Sequence, residues 1–173
     1  SKGSRIVNAL IRAAQNGKQV TVFVELKARF DEERNIGWVK RLRKHGVHVV
    51  CDLPQLKVHA KMLLIMRKEA ETIQGYAHLS TGNYNEKTAK GYADISLFTA
   101  KPAIIDDVRT IFMRLCGHVR CVQNLHHLVI APDELKTVLL QYIERERCAA
   151  LNHKPARIIA KMNSLSHPLL IDA

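Results

Sequence analysis

Between Gln19 and Cys51 the apolar pattern changes its period twice. QVTVFVEL, residues 19–26, is dense in β-branched residues and reads as a strand. Residues 31–45 then read as a helix. The first turn of that helix carries Asp31, Glu32 and Glu33 and the last carries Arg43, Lys44 and His45, the distribution a helix dipole favours; Gly46 stops it. VHVVC, residues 47–51, is a strand again. Such a strand–helix–strand unit predicts parallel strands joined by a right-handed crossover.

The rest of the chain continues in the same α/β manner. Residues 4–16 read as a helix, with Ile6, Leu10 and Ala13 at helical spacing, Ser4 able to cap and Gly17 able to stop it. Strands are expected at 59–67 and 73–80, joined as a hairpin through RKEAET. A short helical stretch at 85–91 precedes a strand in DISLFT. Ile105, Val108, Ile111 and Phe112 make residues 102–115 an amphipathic helix. HLVIA (127–131) and ARIIAKMN (156–163) read as strands around a long helix at 132–152, with Pro132 in its first turn.

One stretch poses a chemical question. In LKVHAKMLLIMRK, residues 56–68, Met62 to Met66 is an unbroken apolar run that asks for burial. Yet Lys57, His59 and Lys61 alternate just before it, and so share one face of an extended segment. The hairpin returns Ser80, Thr81, Gly82 and Asn83 toward them, Gly82 permitting a close backbone approach. An imidazole, an ammonium, two hydroxyls and an amide would surround one place. A neutral imidazole has a free lone pair and can attack phosphorus, while an ammonium offsets the charge on the equatorial oxygens.

Charge and composition fit an anionic partner. The 173 residues carry a net charge of +11, with 47% hydrophobic and only 5% aromatic residues, lean for a surface that stacks single-stranded bases. No apolar run approaches the length of a membrane span. Cys51, Cys116, Cys121 and Cys148 form no CxxC pair, and without a secretory signal they are expected reduced in a cytoplasmic setting. Cys116, His118 and Cys121 lie close together, but the spacing is irregular and suits an ordinary cluster better than zinc. RLRKH, 41–45, reads as a solvated helix end rather than a nucleic-acid patch. His45, His48, His78, His118, His126, His127, His153 and His167 have no motif around them and are taken as solvated or packed.

The order HxK…(S/T)GN resembles the motif of the phospholipase D superfamily, although the Asp that follows the Lys there is replaced here by MLLIMR. Longer runs carry a closer resemblance. VTVFVELKARFDEERNIGWVKRL, GVHVV, LKVHAK and YAHLSTGNYNEKTAKGYADISLFTA are similar to bacterial polyphosphate kinase. That resemblance implies a phospholipase D-like mixed sheet flanked by helices. Residues 1–126 would be the first of two related catalytic domains, and 127–173 the opening elements of the second.

It implies ATP and Mg2+, with ATP/ADP and polyphosphate as partners, no nucleic acid, and a homo-oligomeric parent protein. Peripheral membrane association is also compatible with it. By the same resemblance His59 becomes the phosphorylated residue, and Lys61 and Asn83 support the phosphohistidine. Tyr92 lies at the nucleotide site and Arg29 at the phosphate and magnesium site. Lys57 is added as a phosphate contact on its position alone. The alternatives are another phospholipase D-like phosphodiesterase, or a basic nucleic-acid-binding module whose binding would not depend on His59.

Overall fold

A computed structural model describes residues 3–27, 32–51, 53, 57–117 and 125–173. The chain divides into two compact units, Ser1–His126 and His127–Ala173.

The first unit opens with α1 (Arg5–Gln15). Its Ser4 cap accepts the Val7 N–H at 3.4 Å, and Gly17 takes a φ of 73° just beyond the end, where a side chain would be strained. β1 (Thr21–Val24), α2 (Glu32–Lys44) and β2 (His48–Cys51) follow. β1 and β2 pair in parallel, from Thr21↔His48 to Val24↔Cys51, as the crossover requires. The core of this layer is Ile11 from α1, Val39 and Leu42 from α2, and Val47 and Val49, with Val22 and Val24 packed against it. Helical and strand periods therefore aim at the same interior, and their burial stabilises the layer.

The basic end of α2 folds back on its own unit. Arg41 reaches Asn8 Oδ1 at 2.8 Å and lies over Trp38, Arg43 donates to the Val49 carbonyl at 3.2 Å, and His45 Nδ1 sits 2.8 Å from the Arg41 carbonyl.

β3 (Lys61–Glu69), β4 (Thr72–Ser80) and β5 (Ser96–Thr99) form a separate antiparallel sheet in that order. The expected parallel and antiparallel ladders are both present, but as two sheets among the described residues rather than one. The hairpin between β3 and β4 turns at Ala70 and Glu71, Ala70 taking a φ of 50°. α4 (Pro102–Leu115) packs on one face of this sheet and buries Ile105, Val108, Ile111 and Leu115. Gly75 lets that helix approach, because a Cβ there would overlap the Ile105 side chain. Between β4 and β5 lies α3 (Glu86–Ala89), whose cap Asn85 accepts the Lys87 N–H at 3.0 Å.

Asp107 of α4 is only 2% exposed, and its carboxylate accepts the His126 N–H at 3.0 and 3.1 Å while His126 Nδ1 lies 3.3 Å away. A buried carboxylate needs such donors.

The second unit consists of α5 (Leu135–Leu151), α6 (Pro168–Ile171) and chain without regular structure. Two expected strands are not formed. Residues 127–131 begin in a bend and end in a turn, and 156–163 form no ladder among the described residues. The physical reason is pairing: a strand needs a neighbour to take its N–H and C=O groups, and the described elements beside 156–163 are helices. The Arg157 N–H is taken instead by Glu146 Oε2 at 3.0 Å. On α5, Arg147 donates twice to Glu144, both at 2.7 Å, and the Cys148 thiol adds a bond at 3.2 Å; together these hold the Glu144 carboxyl at about 2. No helix among the described residues is long and apolar enough to cross a membrane.

Candidate functional site

The pleat of the antiparallel sheet decides what this site contains. Lys61, Leu63, Ile65, Ser80, His78, Tyr76, Ser96 and Phe98 alternate onto one face, while Met62, Leu64, Leu79, Ala77 and Leu97 point to the other, where α4 packs. Lys61 stands opposite Ser80, and Ser80 opposite Ser96, so one end of the sheet is lined by short polar groups. The apolar run Met62–Met66 is thus half committed to the α4 side. Its basic neighbours lie outside that demand.

His59 is exposed and precedes β3; the Lys61 Nζ lies 3.0 Å from its Nδ1 and 3.2 Å from its Nε2. The lone-pair directions of the two ring nitrogens diverge, so one ammonium cannot bond along both. The contact is a charge set against the ring with at most one hydrogen bond at a time. Its electrostatic consequence is clear. The Lys61 ammonium, partial burial and the Lys57 ammonium all push the His59 pKa below its ordinary 6.5. Lys61 is itself lowered by burial, against the opposing pull of Asp94. The geometry therefore keeps a neutral imidazole beside a cation, the state in which the ring has a lone pair to give.

Asp94 is the residue that sequence reasoning missed. Thr81 Oγ1 donates to Asp94 Oδ1 at 3.1 Å and accepts the Ile95 N–H at 3.0 Å, while the Thr81 N–H reaches the Ile95 carbonyl at 3.1 Å. A Cβ on Gly82 would lie 2.6 Å from Asp94 Cγ, so the glycine is what admits the carboxylate. Ser80 Oγ accepts the Gly82 N–H at 3.0 Å and the Ser96 hydroxyl at 3.1 Å. The superfamily motif places its Asp shortly after the Lys; here a carboxylate within electrostatic reach of Lys61 comes from the far side of the hairpin. The signal was present: a strand beginning at Asp94 and paired antiparallel with 73–80 returns Asp94 to Gly82.

The expected residues divide as follows. His59, Lys61 and Lys57 are brought together. Asn83 follows Gly82 at the same sheet end, exposed, with its carbonyl accepting the Asn85 N–H at 2.7 Å. Tyr92, two residues before Asp94, is 59% exposed. Arg29 lies outside the described residues, as do His118 and Cys121 of the Cys/His cluster. Cys116 ends α4, with burial raising its thiol pKa.

Beyond the polar end, the open face carries an aromatic group. His78 stacks on Phe98 with centroids 4.4 Å apart, and its Nδ1 lies 2.8 Å from the Tyr84 hydroxyl.

Residues 1–120 match the family described as "Polyphosphate kinase C-terminal domain 1", and residues 128–173 match "Polyphosphate kinase C-terminal domain 2". A polyphosphate kinase of Synechocystis is 49% identical over 173 residues, which are 100% of this chain and 24% of that protein. One from Escherichia coli K12 is 46% identical over 172 residues, 99% of this chain and 25% of that protein. The crystal structure of polyphosphate kinase from Porphyromonas gingivalis superposes with a TM-score of 0.82 at 41% identity, covering 99% of this chain and 29% of that one. The chain spans about a quarter of the length of these relatives.

Proposed function

The chain belongs to the polyphosphate kinase family, and we propose that it carries the phosphoryl-transfer centre of an ATP–polyphosphate phosphotransferase, with His59 as the nucleophile. The observation that carries this reading is the Lys61 ammonium lodged 3.0 Å from the His59 ring, because it holds the imidazole neutral and places a cation where phosphate charge develops.

The step follows from those two groups. A His59 ring nitrogen attacks the terminal phosphorus of ATP; the N–P bond forms as the bond to the bridging oxygen breaks, and ADP leaves with that oxygen. The ring keeps its own N–H proton, so no base is needed at the imidazole. Lys61, with Lys57 behind it, offsets the charge on the transferred oxygens. A terminal oxygen of polyphosphate then attacks the same phosphorus and frees His59, lengthening the polymer by one phosphate. Reversal returns the phosphate to ADP. Asp94 limits the local excess of positive charge and opposes the lowering of the Lys61 pKa by burial. Asn83 and the Ser80–Ser96 pair supply donors beside it, and Tyr92 is offered to the nucleotide.

Magnesium was expected at Arg29. A guanidinium has donors and no acceptor, so it can hold the phosphates of a metal-bound nucleotide but cannot ligate the ion. Among the described residues no group of three or more His, Cys, Asp and Glu converges into a metal cage. Magnesium is commonly held by one or two carboxylates together with the substrate's phosphates, and the steps above use no metal ion.

The test is phosphoryl transfer from γ-labelled ATP, quenched in alkali to preserve the acid-labile N–P bond, in the full-length protein that carries this chain. Label is expected on the wild type and absent from His59→Ala. Polymer synthesis that survives in His59→Ala would sink the covalent route.

A further inference from the structure

Glu25 lies outside the motif residues, yet its backbone and side chain together join three parts of the unit. It follows β1 directly and is half-buried. Its Oε1 accepts the Lys27 N–H at 2.9 Å, and its Oε2 accepts the Val58 N–H at 2.8 Å, from 33 residues away. Its backbone carbonyl accepts the Asn35 side chain of α2 at 3.1 Å. One residue thus ties the end of β1, the early part of α2 and the segment entering the site.

That segment needs an anchor. Residues 57–60 belong to no ladder, since β3 begins at Lys61. The Val58 N–H therefore lacks the sheet partner that a strand residue has, and Glu25 supplies the acceptor. Val58 lies between Lys57 and His59. A bond to its N–H fixes the peptide that joins Lys57 to Val58, and so restrains the backbone that carries both flanking side chains.

The charge sharpens the point. A carboxylate near a centre meant for phosphate is electrostatically unfavourable, unless both its oxygens are engaged. Here they are, by two N–H groups in charge-assisted bonds. We propose that Glu25 is a positioning residue, a two-oxygen clip that fixes the Lys57–His59 segment against the end of β1 and so sets the aim of His59 at phosphorus. This rests on the reading of His59 as nucleophile.

The experiment measures the single-turnover rate of His59 labelling by γ-labelled ATP, together with deuterium uptake of the 57–61 peptide, in the full-length protein carrying this chain. Glu25→Ala is expected to slow labelling by about 10–100-fold, the scale of an ångström-sized misplacement, while the KM for ATP stays within about twofold. Uptake should rise in the 57–61 peptide and not in α1. Glu25→Gln, with one acceptor oxygen in place of two, should fall between; it carries the test alone if the alanine variant does not fold. A merely structural role would lower the amount of folded protein without slowing labelling per folded molecule. Wild-type labelling rates in Glu25→Gln and Glu25→Ala, or unchanged uptake at 57–61 in both, would overturn the clip. His59→Ala is run beside them: if it leaves phosphoryl transfer intact, the nucleophile reading falls and the clip falls with it, whereas loss in His59→Ala with normal rates in the Glu25 variants removes the clip alone.

Discussion

The two sheets of the first unit solve different problems with similar residues. The parallel pair, β1 and β2, has strands of four residues each, and α1 and α2 bury Val47, Val49, Val39, Leu42 and Ile11 against it. The antiparallel sheet has strands of nine residues in β3 and β4, with α4 on one face and an open face bearing Ile65, Tyr76 and Phe98. All the assembled chemistry is on or beside the open face: His59, Lys61, Ser80, Ser96 and, through Thr81, Asp94. The lesson is a division of labour. The covered layer holds the shape, and the uncovered face of the antiparallel sheet keeps one side wet enough for charged groups.

That division can be broken by substitutions that should each strike one side only. The largest effect is expected from His59→Ala, which should lower phosphoryl transfer at least about 10³-fold while leaving the thermal midpoint nearly unchanged, because the ring is exposed. A large fall in stability would show that His59 helps to hold the sheet. The mirror case is Leu42→Ala. Leu42 is 2% exposed in the core of the covered layer, and its truncation should cost about 2–5 kcal/mol in denaturant unfolding, with little change in rate per folded molecule. Asp107→Ala tests the other helix face: the His126 N–H loses its buried acceptor, and about 1–3 kcal/mol is expected to go with it.

How much of this could be read in the residues themselves depends on whether the signal was local. Ser4, Gly17 and Gly46 mark helix ends by local stereochemistry, and α1, α2 and α4 lie within a residue or two of their expected bounds. The β1–α2–β2 crossover was legible because a change of period is written along the chain. The alternation of Lys57, His59 and Lys61 was legible for the same reason.

What failed was pairing at a distance. Residues 127–131 and 156–163 have strand composition, but composition does not supply a partner. Asp94 was read only as the start of a strand. It became a site residue through the β4–β5 register and the space that Gly82 leaves beside it. Glu25 gave no motif at all. Its meaning depends on a bond to Val58, and a bond across 33 residues leaves no mark in a periodicity.

The pH dependence sharpens the electrostatic half of the comparison. Only neutral His59 has a lone pair for phosphorus, so transfer should fall as pH drops through its pKa, and that pKa lies below the ordinary 6.5. Lys61 is the largest cause: a nearby ammonium disfavours a second positive charge on the ring. Lys61→Met removes that repulsion, so the pKa should rise and the acid limb of the rate profile should move to higher pH, beside a lower maximal rate. Lys61→Arg keeps the charge and should leave the limb near its wild-type position. A limb that stays put in Lys61→Met would assign it to another group and weaken the case for His59 as the titrating nucleophile.

The smallest effect tests whether the open face is open. Phe98 is 78% exposed and stacks on His78 with centroids 4.4 Å apart. Phe98→Ala removes more atoms than Leu42→Ala, yet nearly all of them already face water. The stack is the main loss, so the change should cost only about 0.5–1 kcal/mol. The measurement is denaturant unfolding of the 173-residue chain at two protein concentrations, with Leu42→Ala as reference. A cost near that of Leu42→Ala, growing with concentration, would mean that a second copy covers the sheet. A large cost independent of concentration would mean that the chain's own residues cover it. Either result would erase the contrast between the two sheets. A small, concentration-independent cost would leave the antiparallel sheet as the side on which substrate can reach Lys61 and His59 without first displacing a packed layer.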